Sequence, residues 1–168
     1  DSHLFSGVNV KLSSPTSGEN FIDILRDVSI PQADMILFCK FRNHLIDCSE
    51  AFKEVIIDDG ICYTFNMLEY AHIFRANEYR FVESENQSLW NLEEGYDSSQ
   101  YDTFPHRAFP LTDYGLNVVL NLKTSDLDFI CKGPVQGFKV RIHSPDEHPQ
   151  MANGFFRIPL NGDILVGL

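Results

Sequence analysis

The strongest constraint on the fold is a short run that begins at a turn and continues as a β-type segment. Asp59 and Gly60 form a turn dipeptide, which is followed by a cysteine, an aromatic pair and a closing asparagine. The run reads Gly60-Ile61-Cys62-Tyr63-Thr64-Phe65-Asn66. Aromatic and β-branched residues favour strands, and Asp-Gly favours a tight turn. Residues 61–66 are therefore predicted to form one strand, entered from the turn and held by a disulfide at Cys62.

Helical spacing precedes this strand. Thr16 and Glu19 are spaced as a capping box, and Pro31 ends the pattern. The apolar residues that recur on one face between them are Phe21, Ile22, Leu25 and Val28. The spacing predicts an amphipathic helix that ends before Pro31.

Two further segments lie between this helix and the signature strand. Residues 35–41 are apolar enough for a buried strand or a second short helix, and periodicity does not separate the two. Asp47 or Ser49 is placed to cap a short helix that runs through Ile56. The side chains expected to face inward from this helix are Phe52, Val55 and Ile56.

The second half of the chain shows the period-two alternation of half-buried strands. One set of alternating apolar residues is Leu116, Val118, Leu120 and Leu122, and a second is Phe138, Val140 and Ile142. Residues 155–160 and 164–168 are predicted as two more strands around Asn161-Gly162. The fold class expected from this pattern is α+β, with antiparallel strands and short N-terminal helices. Residues 67–113 between the two parts are irregular, acidic and aromatic.

Charge and hydropathy exclude several classes of protein. The formal net charge of −11 argues against nucleic acid and against docking on anionic lipid. No run approaches the roughly 20 apolar residues that a membrane helix requires. The chain begins at Asp1 and ends in an apolar run, so we expect it to be a segment of a longer protein.

Four cysteines, Cys39, Cys48, Cys62 and Cys131, suit an oxidising compartment. Cys39 and Cys48 flank a short loop, and the pattern favours a disulfide between them over zinc, because there is no Cys-x-x-Cys motif. Cys62 and Cys131 either pair with each other or take partners outside the segment. The sequon at Asn86 is consistent with an extracellular, glycosylated face.

No catalytic motif is present, and we expect neither an enzyme, a cofactor nor a bound metal. The sequence lacks a nucleophile elbow, a His-Glu-x-x-His zinc motif, a phosphate-binding glycine loop and a dinucleotide fingerprint. A titratable cluster lies in the stretch that contains His143, Asp146, Glu147 and His148. It is either a proton- or cation-responsive loop or a solvated turn after a strand.

The signature run resembles the extracellular hallmark of the degenerin/epithelial sodium channel family, also called the amiloride-sensitive sodium channels. Its residues are Gly60, Cys62, Tyr63, Thr64, Phe65 and Asn66, and the block from 35 to 66 is similar throughout. The stretches 114–120 and 137–149 are similar to later family blocks, and 126–137 looks most like the insect pickpocket branch. Ile57 departs from the family's frequent threonine at that position.

The resemblance implies a homo- or heterotrimeric, amiloride-sensitive, stimulus-gated channel of the plasma membrane. This chain would be part of its extracellular domain, and sodium ions would pass through a pore outside the segment. Residues 1–66 would supply finger-side helices and the signature strand, and 114–168 would supply palm and β-ball strands. Cys39 would pair with Cys48, and Cys62 with a cysteine upstream of the segment. A secreted or cell-surface binding module that uses residues 85–109 as its contact surface is the alternative.

Overall fold

A computed structural model describes residues 18–74, 90–96, 104–108, 114–123, 125, 136–152 and 154–167. It contains short helices and antiparallel strands, so the predicted α+β class is confirmed. The helices are α1 Gly18–Val28, α2 Gln32–Met35, α3 Cys48–Ala51 and α4 Tyr70–Ile73. The strands are β1 Ile36–Phe41, β2 His44–Leu45, β3 Phe52–Ile57, β4 Gly60–Phe65, β5 Leu116–Leu120, β6 Gly137–Arg141 and β7 Phe155–Pro159. Among these helices, none is long and apolar enough to cross a membrane.

The first sheet has the strand order β2-β1-β5, and all its pairs are antiparallel. Residues 36–41 therefore form a strand, which the sequence pattern had not distinguished from a short helix. Arg42 and Asn43 connect β1 to β2 with φ angles of 50° and 66°. Two successive residues in the left-handed region are typical of the tight turn that matches the twist of a hairpin, and asparagine tolerates that conformation.

The second sheet is the hairpin of β3 and β4, in which Val55 lies opposite Cys62. The predicted strand at the signature run is therefore present, but the predicted helix through Ile56 is wrong. Asp47 does cap a helix, which ends at Ala51, and residues 52–57 form β3. The apolar spacing suits a helix, but three consecutive β-branched residues at 55–57 are stiff and favour a strand. Pairing with β4 decides the outcome.

The third sheet is the pair β6 and β7, with Val140 opposite Phe156. Gly137 begins β6 at a φ of 135°, and a Cβ there would overlap the carbonyl of Ile158. Glycine is required because it alone tolerates both the conformation and the close approach. The strand predicted for 164–168 is wrong over 164–167, which carry no strand, while Leu168 lies outside the described residues. Within the described ranges, no neighbouring strand pairs with this run.

Few apolar side chains are fully buried among the described residues. The most buried apolar residues are Ile36, Cys39, Val55, Met67 and Leu68. The disulfide between Cys39 and Cys48, with Cα atoms 5.5 Å apart, ties β1 to the start of α3. The rings of Phe41 and Phe52 both contact the ring of Phe65, with centroids 5.3 and 5.6 Å away. Phe65 of the signature strand therefore packs against its neighbour in the second sheet and against the first sheet.

Candidate functional site: the signature strand as a junction

The signature run contacts several separate parts of the molecule, through Tyr63, Thr64 and Phe65 of β4 and through Asn66 after it. Side chains alternate between the two faces of a strand, so Ile61 and Tyr63 share one face while Cys62 and Thr64 share the other. Gly60 enters the strand at a φ of 110°, a region in which L side chains are strained. A glycine at this point lets the chain turn back from Asp59 without that strain.

Tyr63 holds the chain just after the first helix. Its hydroxyl donates a hydrogen bond of 3.0 Å to the carbonyl of Ile30, and burial raises the pKa of this hydroxyl. Arg26 on α1 forms an ion pair of 2.9 Å with Glu54 on the strand beside it. Together these contacts form one wall of a shallow groove, whose lining also includes Gln32 and Ile61.

Thr64 faces the opposite way and contacts the loop after β6. Its side chain is nearly buried, and its Oγ1 lies 3.1 Å from Nε2 of His143. Nδ1 of His143 lies 2.8 Å from the carbonyl of Ser144, which can only accept a hydrogen bond. Nδ1 therefore carries the proton in the neutral ring, and Nε2 accepts from the Thr64 hydroxyl. Protonation of the ring would turn Nε2 into a donor and reverse this bond.

The loop that starts at His143 is also fastened to the chain that follows β4. The backbone N–H of Leu68 donates to the carbonyl of Pro145 at 2.8 Å. His148 lies beside the rings of Tyr70 and Phe74, at centroid distances of 5.9 and 5.7 Å. Its Nδ1 is buried, with no hydrogen-bond partner among the described residues. Both histidines of the loop therefore contact the segment 64–74.

The two carboxylates of this loop have separate local partners. Asp146 accepts a hydrogen bond from the hydroxyl of Ser144, and Glu147 pairs with Arg141 at 2.8 Å. Across the described residues, no three His, Cys, Asp or Glu side chains converge as ligands for a metal ion. The predicted loop residues thus share a segment but make four different contacts.

Asn66 closes the signature and fastens a distant segment. Its Nδ2 donates to the carbonyl of His106 at 2.8 Å, and its Oδ1 accepts from the N–H of His106 at 2.5 Å. Asn66 adopts a φ of 64°, which few residues other than glycine and asparagine tolerate. Arg42 holds the next residue through a 2.7 Å bond from its Nε to the carbonyl of Arg107. Sequence reasoning missed His106 and Arg107, because these hydrogen bonds involve only their backbone atoms and no pattern marks the two residues.

The turn before the signature is tied to β6. Lys139 forms an ion pair of 2.6 Å with Asp59. Cys62 lies nearby as a half-buried free thiol. Burial raises the pKa of this thiol, Asp59 raises it further, and Lys139 opposes them. The structure contains the expected disulfide between Cys39 and Cys48. Cys131 and Asn86 lie outside the described residues.

Comparison with known protein families identifies the class of protein to which the signature run belongs. The family model described as "Amiloride-sensitive sodium channel" matches residues 6–168. The chain therefore belongs to the amiloride-sensitive sodium channel family, and the family predicted from the signature is confirmed. This is a family of ion channels and not of enzymes.

The relative found agrees with the insect branch suggested by residues 126–137. The chain is 32% identical over 146 residues to Pickpocket protein 28 of Drosophila melanogaster, and the match covers 79% of this chain. It covers 23% of that relative, so the chain spans about a quarter of the curated relative's length. No solved structure matches the chain.

Proposed function

We propose that this chain is a segment of the extracellular domain of a sodium channel subunit in the plasma membrane. The channel is a homo- or heterotrimer, it is blocked by amiloride, and a stimulus opens it. Membership of the family supports the proposal, and one structural observation carries it: the run from Asp59 to Asn66 contacts the chain just after α1, β6, the loop from His143 and the segment at His106. Sodium ions would pass through a pore formed elsewhere in the subunit.

A strand with these contacts is suited to coupling rather than to chemistry. A stimulus shifts a closed–open equilibrium only if it binds the two states with different affinity. A displacement at any one contact of β4 would alter the others, because the side chains share one short, paired backbone. The signature would therefore connect a sensing surface to the parts of the subunit that approach the membrane.

We propose that protons act on this coupling through the loop that holds His143, Asp146, Glu147 and His148. Protonation of His143 makes Nε2 a donor, so the buried Thr64 hydroxyl must become the acceptor. His148 would gain a charge beside the rings of Tyr70 and Phe74, where its Nδ1 is buried, so protonation would favour a displaced ring. Both changes act on the chain at or after the signature strand.

The test is the current carried by the full-length subunit expressed in oocytes. An amiloride-blocked sodium current, together with a crosslinking ladder that ends at three subunits, is the expected result. His143→Gln and Thr64→Val should each shift the pH dependence of that current, whereas His44→Gln, on the exposed β1–β2 hairpin, should not. An unshifted pH dependence in both variants would show that this loop does not sense protons.

The cysteine and glycan predictions complete the proposal. Cys62 would pair with a cysteine elsewhere in the extracellular domain, and Asn86 would carry a glycan. Peptide mapping of the full-length subunit without reduction tests both at once. A secreted product without current would favour the alternative of a disulfide-bonded binding module.

A further inference from the structure

Helix α1 carries an apolar stripe that faces away from the rest of the described chain. The side chains of Phe21, Ile24 and Val28 are 55%, 50% and 76% exposed. Their spacing of three and four residues places them in one line along the helix. Such a line is the seam by which one helix packs against another.

The stripe is held outward by the contacts on the other side of the helix. Ile22 and Leu25 are half-buried, and Arg26 is paired with Glu54 on β3. The chain just after the helix is fixed by the bond from Tyr63 to the carbonyl of Ile30. The helix therefore has a defined orientation, and rolling the stripe inward would break these contacts.

A helix of this length also depends on packing. It has 11 residues, which is fewer than an isolated helix needs to be stable in water. Contacts along one side cover only part of its apolar surface, and three large side chains remain in solvent. A second apolar element against the stripe would supply the missing burial.

Charge identifies the kind of element that fits. Asp23 and Asp27 are both exposed and are four residues apart, so they form one acidic edge beside the stripe. A partner helix with lysine or arginine beside its own apolar seam would be attracted to this edge. A second copy of this helix packed antiparallel would bring the acidic edges together, which is unfavourable.

We propose that the stripe formed by Phe21, Ile24 and Val28 is a docking face for a basic, amphipathic helix of the same subunit. That source rests on the proposed function, because the chain spans only about a quarter of the length of its relative and most of such a polypeptide lies outside it. The helix shields the stripe from water, and its cations pair with Asp23 and Asp27.

The experiment measures thiol accessibility in the full-length subunit with a membrane-impermeant maleimide. Val28→Cys and Leu45→Cys are matched, since these side chains are 76% and 72% exposed in the segment. The cysteine at position 28 should react about tenfold more slowly than that at 45, because labelling must await local opening. Equal rates would overturn the proposal.

A charge variant and an assembly control identify the partner. Each rate is divided by that of the same variant unfolded in urea, because a neighbouring lysine makes a thiol more reactive by itself. On this scale, adding Asp27→Lys to Val28→Cys should raise the labelling rate, whereas adding Asp58→Lys, at the exposed β3–β4 turn, should not. Protection must persist in subunits purified as monomers. Protection found only in assembled channels would assign the stripe to a neighbouring subunit, and an unchanged rate with Asp27→Lys would refute the basic partner. Sodium current recorded from the same cells reports on the proposed function separately.

Discussion

Replacing Asn66 tests most directly whether the signature run holds the segment at His106. Its amide makes two hydrogen bonds with the backbone of His106, and its φ is 64°. Each hydrogen bond contributes about 1 kcal/mol net, and the left-handed conformation costs alanine about 1 kcal/mol more than asparagine. Asn66→Ala should therefore favour release of the segment at His106 by about 3 kcal/mol, or roughly two orders of magnitude in its open population.

Trypsin cleavage after Arg107 reports this release, because Arg107 is exposed and directly follows His106, the residue bonded to Asn66. At low protease concentration the cleavage rate follows the open population, and mass spectrometry of the new termini measures it. Asn66→Gly loses the same two bonds without the backbone cost, so it should accelerate cleavage by only about 30-fold. Asn161→Ala is the matched control, since Asn161 has a φ of 58° but lies in the turn after β7.

Two results would refute the reasoning. If Asn66→Ala is cleaved no faster than Asn161→Ala, the two hydrogen bonds do not hold the segment. If Asn66→Gly behaves like the unsubstituted protein, the side chain serves only to permit the turn. If cleavage is fastest in Asn66→Ala, slower in Asn66→Gly and slowest in the unsubstituted protein, both the hydrogen bonds and the backbone conformation contribute.

Substitutions at Gly137 and Asp47, measured by thermal or urea unfolding, and one peptide-mapping experiment test the remaining structure. Gly137→Ala should lower the free energy of unfolding by roughly 1–3 kcal/mol, because the added Cβ meets a carbonyl of β7. Gly162→Ala is the control and should lower it less, because a Cβ there lies 3.3 Å from a proline side-chain carbon. Equal losses in the two variants would contradict this. Asp47→Ala should lower stability, while Asp47→Asn keeps a cap. Hydrogen bonds from Ser49 lower the pKa of Asp47 below its ordinary value near 3.8. The loss of stability in Asp47→Ala should therefore be complete above pH 3.8 and should disappear as the pH falls through the lowered pKa of the folded state. A loss of stability that does not depend on pH would argue against the cap. Unreduced peptides should link Cys39 to Cys48, which stabilises the fold by roughly 2–3 kcal/mol, and free thiols at both would remove that contribution.

The elements that could be predicted from sequence are those with strong local signals. Helix α1 follows from its apolar periodicity, and β4 follows from the turn residues before it. Residues 52–57 could not be assigned correctly, because a spacing of three and four suits a helix while β-branched residues suit a strand. Only the partner β4, which is a long-range neighbour, favours one over the other.

The candidate site divides in the same way. The signature residues and the loop from His143 stand out in the sequence because of their residue types. The partners of Asn66 do not, because His106 is bound through its backbone and lies 40 residues away. The roles of His143 and His148 also depend on what faces them, and that is a property of packing rather than of spacing.

The sequence by itself determined the family, the class of fold and the residues of the signature, because each is encoded in local residue types and their order. Tertiary structure alone decided that Tyr63, Thr64 and Asn66 reach three separate segments, and that the apolar stripe of α1 faces outward. The physical reason is that a strand sets only which face each side chain occupies. What lies against that face is decided by chain segments that local sequence patterns do not connect.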